Sequence, residues 1–349
     1  MGDLSGVLAD RVRQAAAEGT ALVLRGGGSK DFYGRRPQGE VLDLAGHRGI
    51  VAHEPRELVL TARAGTPLAE IENQLREHGQ MLAFEPPHLG PGATLGGTIA
   101  CGLSGPRRPW AGAARDFVLG ARIIDGRGRV LRFGGQVMKN VAGFDVSRLM
   151  CGALGTLGVL LEVSLKILPA PEAELTLVQA RDAQAAIAEC QRLAGRPLPL
   201  SAACHHQGRL WLRLAGPAAA LAAARRQIGG EEADGGFWHE LREQRLAFFA
   251  GDAPLWRLSL PPATPPLDLP GEQLIDWGGG LRWLRSTAPA QSIRERVAAA
   301  GGHATLFRGG DRDQPFHPLP DGLARLHRRL KRAFDPAGIL NPGRLYADL

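Results

Sequence analysis

The chain has 349 residues, of which 44% are hydrophobic, so it can bury a sizeable core and wholesale disorder is excluded. Its formal net charge is +7, but the arginines that supply most of it are scattered and aromatic residues make up only 5%. A nucleic-acid-binding protein would need a clustered basic face and stacking aromatics, so that class is excluded. The sequence begins with no signal-peptide pattern and contains no apolar run of 18 residues. We therefore expect a cytoplasmic protein without a transmembrane segment.

The first half of the chain mixes helices and strands without a regular βαβ repeat. Apolar residues at helical spacing predict a helix over residues 4–17, and Thr66 followed by Pro67 and Glu70 marks the start of a second helix that ends near His78. Short apolar runs predict strands at 21–24, 41–44, 58–62, 116–124, 130–133 and 160–168. This pattern indicates an α+β architecture and does not fit a Rossmann domain.

A proline-rich linker at 168–171 separates a second region with a different pattern. Its predicted strands are 174–178, 198–204, 209–214, 255–260, 273–277, 281–284 and 303–307. Its predicted helices are 181–194, 217–228, 238–249 and 289–300. Strand–helix–strand–strand repeats of this kind predict an antiparallel sheet with helices on one face. A basic helix over 321–334 then leads to the C-terminal tail.

Four stretches carry a recurrent glycine pattern. A strand leads into the triple glycine 26–28, and residues 91–105 contain five glycines in fifteen positions. A third glycine-rich turn covers 152–159, and Asn341-Pro342-Gly343 stands near the C-terminus. Glycine lets a ligand approach the backbone, and oriented N–H groups bind anions, so the first two stretches predict a phosphate or pyrophosphate site. Taken singly, such a run is also compatible with a flexible surface loop.

Together these stretches resemble the vanillyl-alcohol-oxidase family, whose FAD-binding domain is called PCMH-type. The segments 28–34, 79–87 and 137–145 add a resemblance to the flavin subunits of bacterial glycolate oxidases. The resemblance is dense over 20–168 and 334–344. It implies a PCMH-type two-subdomain FAD-binding fold with an inserted antiparallel-sheet cap domain. The domains would then be 1–168 for FAD, 172–314 for the cap, and 315–349 for the return to the FAD domain.

The same resemblance implies which residues contact FAD. The expected cofactor-binding residues are Arg25, Gly26, Gly27, Gly28, Ser29, Lys30, Pro91, Gly92, Ala93, Thr94, Gly96, Gly97, Thr98, Gly102, Ser104, Gly105, Gly155, Thr156, Gly158, Val159 and Asn341. Ser29 stands where many relatives carry a histidine that bonds covalently to the flavin, so we expect non-covalent FAD. Lys139 and Asn140 resemble positions near the cofactor, although a solvated turn explains them equally well.

The cap region contains few side chains that could take part in catalysis or bind a metal. His303 and Arg308 lie where catalytic relatives carry a cluster of substrate and metal ligands, and they are the candidate catalytic residues; a structural role for His303 is the alternative. His205 and His206 lack a third ligand at metal-like spacing, so no metal site is predicted. The four cysteines form no CxxC pair, so the sequence does not suggest an iron–sulfur cluster in this chain, and their wide separation fits reduced, buried thiols.

The resemblance therefore implies the FAD-binding subunit of a glycolate oxidase complex that acts on a small 2-hydroxy acid. The partners would be a second flavin subunit and an iron–sulfur subunit, with peripheral membrane association through those partners allowed. Two other functions stay open: a stand-alone FAD oxidase or dehydrogenase of another alcohol or hydroxy acid, and a non-catalytic scaffold. The cations of the helix 323–332 form either a solvated face or a surface that docks to an acidic partner subunit.

Overall fold

The computed structural model describes residues 2–135 and 145–349. The helices, in chain order, are α1 Ser5–Glu18, α2 Leu68–Glu77, α3 Leu95–Cys101, α4 Arg108–Ala111, α5 Ala114–Phe117, α6 Val146–Leu149, α7 Ala183–Ala194, α8 Ala218–Ile228, α9 Gly236–Arg242, α10 Ala290–Ala299 and α11 Asp321–Phe334. Two 3₁₀ turns lie at Ala247–Phe249 and Trp277–Gly279.

The strands follow the same numbering. They are β1 Leu22–Arg25, β2 Glu40–Asp43, β3 Ile50–Glu54, β4 Val59–Arg63, β5 Gln80–Met81, β6 Val118–Ile124, β7 Val130–Gly134, β8 Val159–Lys166, β9 Leu168–Pro169, β10 Ala173–Ala180, β11 Leu200–His206, β12 Arg209–Gly216, β13 Glu231–Ala233, β14 Leu255–Ser259, β15 Glu272–Asp276, β16 Leu281–Arg285 and β17 His303–Arg308.

Among the described residues the chain forms two compact units. The first lies within Met1–Leu103, Ala113–Pro169 and Pro318–Leu349, and the second comprises Ser104–Gly112 and Ala170–His317. The first unit therefore resumes at the C-terminus after the second is complete. The division differs from the predicted domain bounds mainly in Ser104–Gly112, which groups with the second unit.

The first unit is built on a five-stranded antiparallel sheet of order β3-β4-β8-β6-β7, with a parallel pair, β1 and β2, beside it. Its core joins α1, β1, β8 and the C-terminal tail through the buried side chains Leu8, Val12, Leu22, Val159, Leu161, Ile339 and Leu340. The tail also extends β1 by backbone bonds, since Leu22 N donates to Ile339 O and Asn341 N donates to Leu22 O. The end of the chain is thus fixed next to its first strand.

The second unit is an eight-stranded antiparallel sheet of order β13-β10-β12-β11-β15-β16-β14-β17. Helices α7 and α8 bury apolar residues against β10, β11 and β12. Helix α10 does the same against β14, β16 and β17 through Ile293 and Val297. The antiparallel sheet predicted for this region is confirmed, and so is the α+β class.

Three local predictions were wrong. The glycine-rich stretch 91–105, for which no helix was predicted, contains helix α3, which begins after Thr94, whose Oγ1 accepts a hydrogen bond from Gly97 N. Thr66 does not cap α2, because its hydroxyl is bonded to Gly49. The helix predicted over 238–249 ends at Arg242, and Gln244 follows with a φ of 56°, which breaks the helical path.

Candidate cofactor site

A cavity of about 320 Å³ lies within the first unit. Most of its wall comes from four segments that are distant in sequence: β1 with the turn that follows it, helix α3, the 154–160 segment and the C-terminal tail. Leu44 after β2 and Ala64 after β4 complete it. The lining residues are Val23, Leu24, Arg25, Gly26, Gly27, Gly28, Ser29, Lys30, Asp31, Arg36, Pro37, Leu44, Ala64, Thr94, Gly96, Gly97, Ala100, Cys101, Leu154, Gly155, Gly158, Leu160, Asn341 and Arg344. The volume falls in the range of small-molecule sites.

The turn after β1 presents a row of free backbone donors. None of the N–H groups from Gly26 to Ser29 donates to an acceptor within the described part of the chain. A Cβ on Gly27 would lie 1.4 Å from the carbonyl oxygen of Gly92, so only glycine lets this turn pack against the 91–97 segment. The row of donors therefore borders the cavity with no side-chain bulk at Gly26–Gly28, as an anion-binding nest requires.

The two glycines of α3 have different surroundings. A Cβ on Gly96 would lie 2.7 Å from the Cβ of Ala64, so this glycine allows the helix to contact the end of β4. A Cβ on Gly97 would meet only the Thr94 hydroxyl, at 3.2 Å. Both residues line the cavity. A larger side chain at Gly97 would therefore enter the cavity without displacing backbone.

Asn341 joins three walls of the cavity. Its Oδ1 accepts a hydrogen bond from Leu24 N at 2.8 Å, and its Nδ2 donates to Leu154 O at 2.6 Å. The residue is 4% exposed and has a φ of 44°, a backbone region that asparagine tolerates better than most residues. One side chain thus ties β1 to the turn before Gly155, which also has a positive φ and approaches the Asn341 amide.

A buried ion pair also anchors the C-terminal tail that carries Asn341. Lys331 of α11 donates through Nζ to Asp335 Oδ2 at 2.7 Å, Thr156 O at 2.9 Å and Leu340 O at 2.7 Å. The Asp335 carboxylate in turn accepts bonds from the backbone N–H groups of Ile339 and Leu340. All three protons of the ammonium group have acceptors, which is the condition under which a buried charge is tolerated.

The charges that line the cavity are mainly positive. Arg25, Lys30, Arg36 and Arg344 oppose one carboxylate, Asp31, which pairs with Arg25 at 2.9 Å. Lys30 is 7% exposed and donates to the His88 carbonyl. Burial lowers the pKa of Arg344 and raises the pKa of the Cys101 thiol to about 11. The thiol is therefore protonated at neutral pH and adds no negative charge.

These features fit a dinucleotide cofactor such as FAD. The free amides at Gly26–Ser29 and the excess of cations suit a pyrophosphate, and the apolar side chains of Leu24, Leu44, Leu154 and Leu160 suit flat rings. The anion-binding part and the apolar part belong to one cavity, as such a ligand requires.

The cavity brings together twelve of the residues expected to contact a cofactor: Arg25, Gly26, Gly27, Gly28, Ser29, Lys30, Thr94, Gly96, Gly97, Gly155, Gly158 and Asn341. Pro91, Gly92, Ala93, Thr98, Gly102, Thr156 and Val159 belong to the same unit but are not among its lining residues. Ser104 and Gly105 belong to the second unit, where the Gly105 carbonyl accepts a hydrogen bond from Trp277 Nε1 at 3.0 Å. Lys139 and Asn140 lie outside the described residues.

Sequence reasoning missed several lining residues, among them Arg36, Cys101 and Arg344. Arg344 follows the Asn-Pro-Gly motif directly, and its Nη2 lies 3.5 Å from the carbonyl oxygens of Lys30 and Asp31. Its place beside the motif was the one available signal. Arg36 had no such signal, and Cys101 lies within the stretch 91–105 but is not one of its glycine, threonine or serine residues.

The structure does not bring His303 and Arg308 together. They are the first and last residues of β17, about 16 Å apart at the rise of a strand. Arg308 donates to Gln244 Oε1 at 2.7 Å, and burial lowers its pKa. Desolvation and then the positive charge of Arg257 lower the pKa of His303. Two groups this far apart cannot contact one small hydroxy acid.

The described residues contain neither a metal-binding cluster nor a membrane-spanning helix. No group of three or more His, Cys, Asp or Glu side chains is placed to hold a metal ion in residues 2–135 and 145–349. Within the same ranges no helix has the length and apolar character needed to cross a membrane.

Comparison with known proteins identifies the family. Residues 6–134 match the family model described as FAD binding domain, and residues 319–345 match FAD linked oxidases, C-terminal domain. The chain is 54% identical over 347 residues to glycolate oxidase subunit GlcE of Escherichia coli (strain K12), which covers 99% of both chains. The chain belongs to the GlcE family. It is therefore an FAD-binding subunit of an FAD-linked oxidoreductase, and that enzyme is a multi-subunit assembly.

More distant relatives share only part of the chain. Glycolate oxidase subunit GlcD of Bacillus subtilis (strain 168) is 31% identical over 159 residues, which is 45% of this chain and 34% of that protein. D-lactate dehydrogenase of Anaerostipes hadrus is 28% identical over 140 residues, 40% of this chain and 29% of that protein. An alkyldihydroxyacetonephosphate synthase has a similar fold, with a TM-score of 0.67 at 16% identity over 97% of this chain and 75% of its own. The GlcE family thus shares the PCMH-type fold, and the prediction of that fold is confirmed.

Proposed function

We propose that this chain is the FAD-binding subunit of a glycolate oxidase (glycolate dehydrogenase) complex that converts glycolate or a related 2-hydroxy acid to the 2-oxo acid. One observation carries the proposal: the cavity combines free backbone donors, lining cations and apolar side chains in a chain that matches E. coli GlcE over its full length. The compartment we propose is the cytoplasm, with any membrane association made through partner subunits.

In this proposal each wall of the cavity has its own task. The amides of Gly26–Ser29, with Lys30 and Arg344, bind the pyrophosphate, while Asn341 fixes the distance between the two walls. Ser29 offers no imidazole for a covalent bond, so the cofactor is held by contacts alone. When bound, FAD accepts two electrons from the oxidation of the substrate. No amino-acid side chain can act as such an electron acceptor.

The chain by itself lacks a compact site for the hydroxy acid. A base must lie within hydrogen-bond reach of the proton it removes, and a cation must hold the carboxylate. His303 and Arg308 are at opposite ends of β17 and do not meet these conditions together. We therefore propose that a second flavin subunit provides the fuller site and that an iron–sulfur subunit accepts the electrons.

The test is anaerobic bleaching of the flavin by glycolate. The purified single chain is expected to bind FAD and bleach slowly or not at all, and bleaching is expected to become fast when the other subunits are present. Recording flavin and iron in the native complex checks the electron path.

Other outcomes would select the two alternative functions. Rapid stoichiometric bleaching of the isolated chain would identify a stand-alone oxidase or dehydrogenase. A native complex in which this chain carries no flavin would identify a scaffold and overturn the proposal.

A further inference from the structure

Helix α11 carries two exposed leucines one turn apart. Leu323 is 43% exposed and Leu326 is 51% exposed, and they are the only leucines among the large hydrophobic residues exposed in the described part of the chain. Leaving such side chains in water costs free energy that burial against another surface would recover. The helix packs on its own unit through the buried Lys331.

An arginine borders these leucines, since Arg329 follows Leu326 by one turn. Arg325 and Arg329 lie one turn apart on the exposed side of α11, and neither forms an ion pair with any described residue. Of the other cations of the helix, Arg328 pairs with Asp348 at 2.5 Å and Lys331 pairs with Asp335, whereas Arg332 also forms no ion pair with a described residue. Uncompensated positive charge therefore begins beside Leu326, at Arg329, and extends along the exposed side of the helix through Arg325 and Arg332. We call Leu323, Leu326, Arg325 and Arg329 the leucine–arginine face.

We propose that the leucine–arginine face docks onto another protein subunit of the same complex, at an apolar patch that is bordered by carboxylates. The inference rests on the proposed function, because it requires that complex. An apolar centre with charged residues at its rim is the usual composition of a protein–protein interface. The rim arginines would raise the association rate with an acidic partner and fix its orientation.

The composition of the helix favours a protein over a lipid surface. A helix that lies in a membrane interface carries apolar side chains along one whole face, commonly with tryptophan or phenylalanine. Here only two leucines are exposed, and the single aromatic residue that ends the helix, Phe334, is partly buried against Phe133.

The test uses the complete chain co-expressed with the other subunits of the complex and purified through a tag on this chain. Two variants change the face: Leu323→Ser with Leu326→Ser, and Arg325→Glu with Arg329→Glu. Each variant is expected to weaken subunit association about tenfold or more. In the arginine variant, the affinity between the subunits should also lose most of its dependence on salt concentration. Val7→Ser on α1 and Arg226→Glu on α8 are matched exposed controls and should recover the subunits like the wild type.

The outcomes separate this inference from the proposed function. If the wild type recovers no other subunit, the proposed complex fails and the docking surface fails with it. If the wild type and both variants recover the subunits equally, the complex stands and the docking surface is overturned. Binding to phosphatidylglycerol–phosphatidylcholine vesicles that is lost in the variants, with subunit recovery unchanged, would assign the face to a membrane instead. FAD content should stay at the wild-type level in every variant, because none of these residues lines the cavity.

Discussion

At the scale of single residues, adjacent glycines in one motif have different tasks. Gly96 leaves room for Ala64, whereas Gly97 leaves room in the cavity. The two glycines look equivalent in the sequence motif, and only the position of the neighbouring strand shows that their surroundings differ. A substitution at each position should therefore affect a different property of the protein.

We predict that Gly97→Val weakens FAD binding by about tenfold to a hundredfold, since its side chain would occupy ligand space at a cost of about 1–3 kcal/mol. Gly96→Val should instead lower the free energy of unfolding by about 1–3 kcal/mol, because its Cβ overlaps Ala64. FAD titration and urea unfolding of the FAD-free proteins measure the two effects. Equal FAD affinity in Gly97→Val and the wild type would show that this position does not face the cofactor.

The Lys331–Asp335 pair supports the tail that carries Asn341. Lys331→Met would leave a buried carboxylate and the carbonyls of Thr156 and Leu340 without their donor. We predict a loss of about 3–5 kcal/mol in the free energy of unfolding, as for other buried pairs that lose one partner. FAD affinity should fall as well, because Leu340 precedes Asn341.

The matched control for that variant is Arg332→Met, an exposed cation on the next position of α11, which should change neither quantity. The measurements are urea unfolding and FAD titration. A Lys331→Met protein with wild-type stability and wild-type FAD affinity would contradict the assigned role.

At the scale of elements, the turn between β2 and β3 contains a fully buried histidine. His47 is 0% exposed, and its Nδ1 accepts a hydrogen bond from Leu4 N at 3.1 Å, which fixes the start of α1. Burial is the main reason that its pKa is lowered. The neighbouring charges act in both directions: Asp3 and Glu162 raise the pKa, and Arg63 and Arg122 lower it.

This environment predicts a loss of stability in mild acid. Because the pKa of His47 is lower in the folded chain, the unfolded chain binds the proton more readily, and the free energy of unfolding falls as the pH drops below about 6.5. His47→Asn keeps an acceptor for Leu4 N but cannot titrate, so its stability should depend less on pH between about 7 and 5. Unfolding at several pH values measures this slope. His239→Asn, at an exposed position on α9, is the control, and an unchanged slope in His47→Asn would refute the assignment.

At the scale of the whole molecule, the cofactor should be dissociable. The cavity has a serine where a covalent attachment would need an imidazole, and its contacts are amides, cations and apolar side chains. We predict that acid precipitation of the yellow protein releases FAD into the supernatant. Flavin that remains in the protein pellet would disprove non-covalent binding.

The sequence by itself determined most of the longer helices and strands and the glycine-rich turns, because these depend on local chemistry. Helix α11 has the predicted bounds, and the strands of the second unit lie within a few residues of their predicted positions, since apolar periodicity is a property of neighbouring residues. The same holds for the turn after β1, where three consecutive glycines are visible without any structure. Helix α3 was missed because glycine disfavours helices, and tertiary packing against Ala64 overrides that preference.

Only the tertiary structure decided which distant residues share the cavity and which candidates do not meet. The bond between Asn341 and Leu24 spans 317 positions, and Lys331 reaches Thr156 across 175. No local pattern encodes such contacts, because they depend on the C-terminal tail returning to β1. Conversely, His303 and Arg308 are close in sequence but separated in space, because an extended strand places residues five positions apart at opposite ends. Nearness along the chain suggested a pair, and the direction of β17 excluded it.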